Sequence, residues 1–173
     1  WMDATLPVSR RVDLLLEAMT VEEKVNQMLG NGMAKLTDLT KSFGKTGVGS
    51  VGIQVSSLTD LKAQNEAQKQ IVESSRLGIP IAFTAETLHS GGHPGCTVYP
   101  MPAGQGASWN KTLVELIAAQ NALQARASGT VHGLAPVLNV ATDPRFGRTQ
   151  ECFGEDPHLV GAMGIAAVKG LQG

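Results

Sequence analysis

The residues whose types and spacing most clearly suggest binding or catalysis lie between Asp143 and Pro157. Their sequence is Asp-Pro-Arg-Phe-Gly-Arg-Thr-Gln-Glu-Cys-Phe-Gly-Glu-Asp-Pro. Its carboxylates and two arginines follow an apolar run, residues 133–140, that predicts a buried strand. Charged groups of both signs at the end of a buried strand are costly unless they pair or meet a polar ligand. Because ligands of barrels and open α/β sheets bind at that end of the strands, we predict a polar binding site here.

Three side chains of this stretch, Arg145, Arg148 and Glu151, are candidates for the site. Arginine has a rigid fork of donors that fixes either a sugar hydroxyl or a neighbouring carboxylate. We expect one arginine to contact a ligand and the other charged groups to support it. Asp143 is expected to form a turn and Asp156 to cap a helix.

Glu86 is a further candidate, because it directly follows residues 79–85, which predict a central strand. A carboxylate there can accept two hydrogen bonds from neighbouring sugar hydroxyls. An ion pair with an arginine of the next loop explains Glu86 equally well, so both interpretations stay open at this point. A retaining glycosidase needs two carboxyl groups about 5 Å apart, and no pair in the sequence is marked as such by its spacing.

Two other motifs point to chemistry that their context disfavours. Residues 47–52 spell G-x-G-x-x-G, but the polar segment before them does not predict a strand, so close packing is favoured over nucleotide binding. His89, His93 and Cys96 have a spacing that would suggest zinc on a helix, but the glycines and proline between them exclude one. Neither a cofactor nor a metal is therefore expected.

The elements that must position these residues alternate along the chain. Four helical segments are predicted, with a break near Thr20 in the first: residues 9–29, 57–76, 110–128 and 156–169. Three strands lie between them, at 47–55, 79–85 and 130–140, and a glycine- and proline-rich loop covers 87–109. This order predicts an α/β fold with a parallel sheet. Because a closed barrel of eight units typically needs about 250 residues, the chain is predicted to be part of a larger fold.

The composition of the chain limits the classes of partner that it is expected to bind. The 173 residues are 42% hydrophobic and 17% charged with a net charge of −1, as in a soluble single domain. Without a basic cluster or a long apolar run, neither nucleic acid nor a membrane is an expected partner. Residues 1–5 lack the features of a signal peptide, whereas Asn110-Lys111-Thr112 is a glycosylation sequon that favours secretion. Cys96 and Cys152 either pair, as in a secreted protein, or stay thiols, as in a cytosolic one.

Taken together, several segments resemble the N-terminal barrel domain of glycoside hydrolase family 3, the β-glucosidase and β-xylosidase family. In chain order they are LP…RRV with MTVEEKV, GIPI with ETLH, YPMP with ASWN, and APVLNV with DPRFGR and GEDP. The resemblance covers essentially the whole chain. It implies a partial (β/α)8 barrel, in which residues 1–173 form an incomplete N-terminal portion, about the first three βα units behind an N-terminal helical segment.

The resemblance also implies roles for the candidate residues. In that family, the carboxylate that closes the second strand and an arginine of the strand-three loop hold the sugar in the innermost subsite. Carried over, these are Glu86 and Arg148, with Arg145 and Glu151 as support. Glu86 replaces an aspartate frequent among β-glucosidases, which leaves glucose and xylose both open. The family's lysine–histidine pair, aspartate nucleophile and glutamate acid/base come later in the protein, so no catalytic residue is assigned to this chain.

The residues and the resemblance together predict a fragment of a secreted or extracytoplasmic, retaining, exo-acting β-glycosidase without metal or cofactor. The complete enzyme is expected to hydrolyse terminal β-linked glucose from glucosides or oligosaccharides. Its expected partners are a carbohydrate substrate and the remainder of the barrel with a following domain or second chain. The fragment alone is expected to be inactive. The alternatives are a β-xylosidase of the same family and a non-catalytic scaffold or interaction subunit with a degenerate barrel segment.

Overall fold

The computed structural model describes residues 1–31, 36–52 and 54–173. In chain order, the helices and strands of these residues are α1 Val8–Ala18, α2 Val21–Met28, β1 Gly30–Asn31, α3 Leu36–Phe43, β2 Ser50–Gly52, α4 Leu58–Ser74, β3 Ala82–Ala85, α5 Pro102–Ala107, α6 Lys111–Ala127, β4 His132–Gly133 and α7 Pro157–Gln172. The predicted α/β class is confirmed, although β1 and α3 were not predicted. None of the described helices combines the length and hydrophobicity needed to cross a bilayer.

The chain divides into two compact units. The first contains Trp1–Gly52 and Lys62–Ala82, and the second contains Ile53–Leu61 and Phe83–Gly173. The number of βα units that the chain contributes to a barrel stays a prediction.

The first unit begins with two helices joined at a capping box. The Thr20 hydroxyl accepts a hydrogen bond from the Glu23 N–H at 3.2 Å, and the Glu23 carboxylate accepts one from the Thr20 N–H at 2.8 Å. These reciprocal bonds satisfy two donors that a helix start would otherwise leave unpaired. The predicted break near Thr20 is therefore confirmed, with α1 before it and α2 after it.

A parallel strand pair follows in the same unit. β1 and β2 pair with Gly30 opposite Ser50 and Asn31 opposite Val51. Val51 is fully buried, which is typical of strands in α/β sheets. The strand predicted over residues 47–55 is shorter in the structure, in part because the positive φ of 73° at Gly47 ends the extended conformation on its N-terminal side.

Close backbone packing explains a glycine of the G-x-G-x-x-G segment. A Cβ atom on Gly49 would lie 1.9 Å from the carbonyl oxygen of Gln27, so a side chain cannot fit there. The Gly49 carbonyl also accepts a hydrogen bond from the Ala82 N–H at 3.0 Å. The segment does not open a helix directly, since α4 begins only at Leu58, and this context differs from that of a nucleotide-binding loop.

The second unit contains another parallel pair. β3 and β4 pair with Thr84 opposite His132 and Ala85 opposite Gly133. The backbone bond from the Leu134 N–H to the Ala85 carbonyl, at 2.9 Å, extends the pairing by one residue. β3 therefore ends immediately before Glu86.

The prediction of a buried strand over residues 133–140 is wrong. Within the longer predicted strand, 130–140, only His132–Gly133 forms one, and Leu138 and Val140 are 52% and 39% exposed. Pro136 interrupts the run, because proline has no N–H to donate to a ladder. Apolar composition alone therefore overestimated both the length of the strand and its burial.

Two helices of the second unit, α6 and α7, begin after residues whose side chains cap them. The Asn110 and Asp156 side chains accept hydrogen bonds from the N–H groups of Leu113 and Leu159, at 3.0 and 2.7 Å. The predicted cap at Asp156 is thus confirmed, and Asn110 caps the helix predicted over residues 110–128. α6, α7 and the segment before α7 share an apolar core of Val114, Ala118, Phe153, Leu159, Val160, Met163, Ala166 and Ala167.

The predicted loop over residues 87–109 contains a helix, α5. It begins at Pro102, which suits a first helical turn because the N–H that proline lacks has no intrahelical partner there. A Cβ atom on Gly106 of this helix would lie 1.8 Å from the Phe153 carbonyl oxygen. Glycine at this position therefore lets α5 contact the backbone of the Asp143–Pro157 stretch.

Candidate active site

A cavity of about 410 Å³ lies in the second unit, just beyond the carboxyl end of β3. Its lining residues are Gln54, Glu86, Leu88, His89, Ser90, Gly92, His93, Pro94, Arg148 and Glu151. The volume is in the range of small-molecule sites. Three of the four predicted site residues, Glu86, Arg148 and Glu151, are brought together here although they belong to different segments.

Glu86 is the first residue after β3, so the β3–β4 pairing fixes where its backbone lies. Its side chain is exposed at the cavity. Within the described parts of the chain, the Glu86 carboxylate makes no hydrogen bond or salt bridge. The ion pair with an arginine of the next loop that the sequence left open is therefore absent among these residues, and both carboxylate oxygens can accept hydrogen bonds from a ligand.

Arg148 is held by Glu151 on the same wall. Its Nε lies 3.0 and 2.9 Å from the two carboxylate oxygens of Glu151, and Nη2 also donates to Oε2. This pair raises the pKa of Arg148, to which the charge of Glu86 adds a smaller effect, and it lowers the pKa of Glu151. Because the pair uses Nε and Nη2, the donors of Nη1 are left for another acceptor, such as a ligand oxygen.

The backbone around Arg148 is set by local contacts. Asp143 accepts a hydrogen bond from the Arg145 N–H at 2.9 Å and caps a short 3₁₀ helix, residues 144–146, which ends at Gly147 with a φ of 79°. On the other side, the buried Cys152 thiol lies 3.7 Å from the Arg148 carbonyl oxygen and donates to it. The left-handed conformation of Gly147 and the hydrogen bond from the Cys152 thiol thus fix the backbone on both sides of Arg148. The predicted turn at Asp143 is confirmed.

Arg145 does not join the other predicted site residues. Its side chain is 90% exposed and pairs with Asp143, with Nε at 3.0 Å from both carboxylate oxygens. It is not among the residues that line the cavity. The structure therefore separates the two arginines: Arg148 faces the cavity, and Arg145 lies outside its wall. The role of Arg145 in binding stays a prediction.

Two histidines of the wall were considered in the sequence only as zinc ligands or ordinary loop residues. His89 Nδ1 lies 3.1 Å from the Tyr99 carbonyl oxygen. Since a carbonyl only accepts, Nδ1 is the donor of this bond and carries a proton. No group of three metal-binding side chains occurs within residues 1–31, 36–52 and 54–173. The position of His89, three residues after Glu86, was the signal that could have linked it to the site.

Two further residues, His93 and Gln54, line the cavity, and the two cysteines of the chain remain to be placed. His93 is only 6% exposed and Gln54 is exposed, and both line the cavity. Gln54 was missed because it belongs to the segment after β2, far from Glu86 in the sequence. Cys96 and Cys152 are both free thiols, so they do not pair in this structure.

This arrangement suits recognition of a neutral polar molecule with several hydroxyls. Glu86 offers acceptors, Arg148 offers donors, and the two lie in one cavity. General acid/base catalysis of glycoside hydrolysis needs a protonated carboxyl group beside an ionised one. Glu151 does not fit the role of the acid, because its pairing with Arg148 lowers its pKa and keeps it ionised. Parallel strands with such a cavity at their carboxyl ends are typical of α/β enzymes that act on small polar substrates.

Comparison with known proteins identifies the family. Residues 20–173 match the glycosyl hydrolase family 3 N terminal domain. The chain therefore belongs to glycosyl hydrolase family 3, as its sequence motifs predict.

Individual relatives agree with this assignment. The chain is 33% identical to a periplasmic beta-glucosidase of Salmonella typhimurium over 92% of its own length and 20% of that protein, and 42% identical to a beta-xylosidase of Formosa agariphila over 58% and 15%. It superposes on the crystal structure of a beta-glucosidase from Listeria innocua in complex with glucose with a TM-score of 0.78 and 32% identity, over 95% of this chain and 24% of that one. The chain thus spans about a quarter or less of these proteins.

Proposed function

We propose that residues 1–173 form the N-terminal portion of the barrel domain of a retaining, exo-acting β-glucosidase. In this proposal, Glu86 and Arg148 hold the terminal glucose in the innermost subsite. Glu86 accepts hydrogen bonds from adjacent sugar hydroxyls, and Arg148 donates to a hydroxyl from the nitrogen that Glu151 does not engage. The observation that carries the proposal is that the Glu86 carboxylate, which has no partner among the described residues, lies in one cavity with the Arg148 guanidinium that Glu151 already fixes.

The remaining machinery belongs to other parts of the complete protein in this proposal. A retaining mechanism needs a carboxylate nucleophile and a carboxyl acid/base, and neither role is assigned to a residue of this chain. The partner is the remainder of the barrel with a following domain, and the chain alone is proposed to be inactive. Secretion or export to the periplasm is proposed from the Asn110 sequon and from the similarity to the periplasmic beta-glucosidase of Salmonella typhimurium.

A β-xylosidase is the second candidate. Relatives of this chain include a protein named beta-xylosidase, and Glu86 is one methylene longer than the aspartate expected for many β-glucosidases. A longer carboxylate reaches further into the cavity and leaves less room for a sugar. Xylose lacks the exocyclic carbon of glucose, so it needs less room.

The test uses the complete protein with 4-nitrophenyl β-D-glucoside and β-D-xyloside. We expect hydrolysis of the glucoside with the higher kcat/KM, and the opposite preference would favour the xylosidase. Glu86→Gln and Arg148→Lys should each lower kcat/KM by about 10- to 100-fold. The first removes the negative charge from the acceptor, and the second removes the guanidinium fork that pairs with Glu151 and leaves a further nitrogen for the ligand. Arg145→Lys is the matched control, because Arg145 lies outside the cavity, and should change kcat/KM by less than about threefold. A complete protein that is inert on both substrates would refute the proposal and favour a non-catalytic scaffold.

A further inference from the structure

His93 connects two segments of the second unit that are remote in sequence. Its Nδ1 lies 3.1 Å from the backbone nitrogen of Val55, and its Nε2 lies 2.7 Å from the Thr130 hydroxyl oxygen. Val55 follows Gln54 directly, and both His93 and Gln54 line the cavity. One imidazole therefore joins the segment after β2, the loop after β3 and the residue shortly before β4.

The hydrogen-bond partners determine the state of the ring. A backbone N–H can only donate, so Nδ1 of His93 must be the acceptor for Val55 and carries no proton. Nε2 then carries the proton of the neutral ring and donates it to the Thr130 hydroxyl. His93, Val55 and Thr130 are 6%, 8% and 4% exposed, so water cannot easily replace either bond. Burial lowers the pKa of His93, which keeps this neutral form.

Gln54 is the residue that this arrangement presents to a ligand. Val55 is buried and anchored through its N–H, whereas Gln54 is exposed at the cavity. A side-chain amide has two donor hydrogens and an acceptor oxygen, which suits a sugar hydroxyl that can both donate and accept. The position of Gln54 depends on the adjacent Val55 peptide, because consecutive Cα atoms are a fixed distance apart.

We propose that His93 is a positioning residue for the sugar site: it anchors the Val55 amide and thereby holds Gln54 on the cavity wall, where Gln54 contacts the bound sugar. The inference rests on the proposed function for the identity of the ligand, but not for the existence of the anchor. His93 itself has both ring nitrogens engaged and does not contact the sugar. Its effect on the reaction is transmitted through Gln54.

The experiment combines hydrogen exchange and steady-state kinetics on the complete protein. His93→Phe removes both ring nitrogens while keeping an aromatic ring, and His93→Asn keeps an acceptor close to the position of Nδ1. We expect exchange at the Val55 amide to accelerate about tenfold in His93→Phe and to be largely restored in His93→Asn. KM for the better glycoside should rise about tenfold in His93→Phe, with kcat within about twofold, and fall back towards the wild-type value in His93→Asn. Unchanged exchange at Val55 in His93→Phe would overturn the inference.

A double-mutant cycle separates positioning from general packing. Gln54→Ala should raise KM about as much as His93→Phe, and the double variant should add little to either, because the two residues act through one contact. Additive effects would overturn the role assigned to Gln54. Thr130→Val is the control: it removes the other partner of the ring and should leave the Val55 amide protected. A wild-type protein that is inert on glycosides would refute the proposed function, while the exchange data would still decide whether the anchor exists.

Discussion

Replacing Glu23 by glutamine should destabilise the start of α2, because this carboxylate performs two tasks at once. It closes the capping box with Thr20, and it accepts hydrogen bonds from Arg76 Nε at 2.9 Å and Nη2 at 2.5 Å. Arg76 also donates to the Ala18 carbonyl, the last residue of α1, at 2.7 Å. Glu23 thus links both N-terminal helices to the segment after α4, and it is only 5% exposed.

The magnitude follows from the pKa of Glu23. The hydrogen bonds from Arg76, and next the bond from the Thr20 N–H, lower this pKa from 4.5 to about 2. At about 1.36 kcal/mol per pH unit, this corresponds to at most about 3 kcal/mol. Because the Arg76 side chain is 52% exposed, solvent screening reduces the expected contribution to about 2 kcal/mol. The folded-state pKa is depressed, so this stabilisation is present above about pH 4.5 and is lost as the pH falls towards 2.

Native-state hydrogen exchange is the suitable assay, because it reports the local opening of α2 without assuming that a larger protein unfolds in one step. Glu23→Gln should reduce protection of the α2 amides about 30-fold at pH 7, equivalent to about 2 kcal/mol. The matched control is Glu73→Gln, which removes an exposed ion pair with Lys69 at 4.0 Å and should reduce protection less than about twofold. Equal effects of the two substitutions would refute the reasoning, as would a loss in Glu23→Gln that is the same at pH 7 and at pH 2.

Two further predictions concern packing and thiol chemistry. Gly106→Ala should lower the free energy of unfolding by about 2–3 kcal/mol, since the new Cβ would lie 1.8 Å from the Phe153 carbonyl oxygen. Gly161→Ala in α7 has open space around the new Cβ and should raise that free energy by about 0.5–1 kcal/mol. Thermal unfolding of both variants checks this, and shifts of the same sign would contradict it. With iodoacetamide at mildly alkaline pH, Cys96 should react and Cys152 should not, because Cys152 is buried and burial raises its pKa. Mass spectrometry locates the label, and equal labelling of the two cysteines would disprove the difference.

Helices α1, α2, α4, α6 and α7 could be predicted from the sequence because their signals are local, whereas α3 and α5 were not predicted. Thr20, Asn110 and Asp156 each cap a helix through a bond to the third residue after them, and such pairs are visible in the sequence. Strands could be located but not delimited, since a ladder exists only where a partner strand and a free N–H occur together. The run 133–140 looks like a strand in composition, yet only its first residue belongs to one.

The residues of the candidate site also differ in whether a local signal in the sequence indicates them. Glu86 was singled out because it follows a strand. Arg148 was singled out because it lies in a charged stretch after the apolar run 133–140, although most of that run does not form a strand. The role of His93 was not found, since its two partners are 38 and 37 residues away in the sequence and one of them is a backbone N–H, which no residue type indicates. A neutral histidine between a backbone amide and a hydroxyl has no pattern that spacing could reveal.

The charges of the cavity favour recognition over catalysis by this chain. Arg148 and Glu151 neutralise each other, and the pairing fixes the guanidinium. Glu86 then remains as the carboxylate without a protein partner among the described residues, close enough to Arg148 to affect its pKa. One free carboxylate cannot supply both the nucleophile and the acid of a retaining mechanism. The same pairing that makes Arg148 a rigid donor also keeps Glu151 ionised, which does not fit the acid of such a mechanism. In the proposed function, the reacting groups therefore come from other parts of the complete protein.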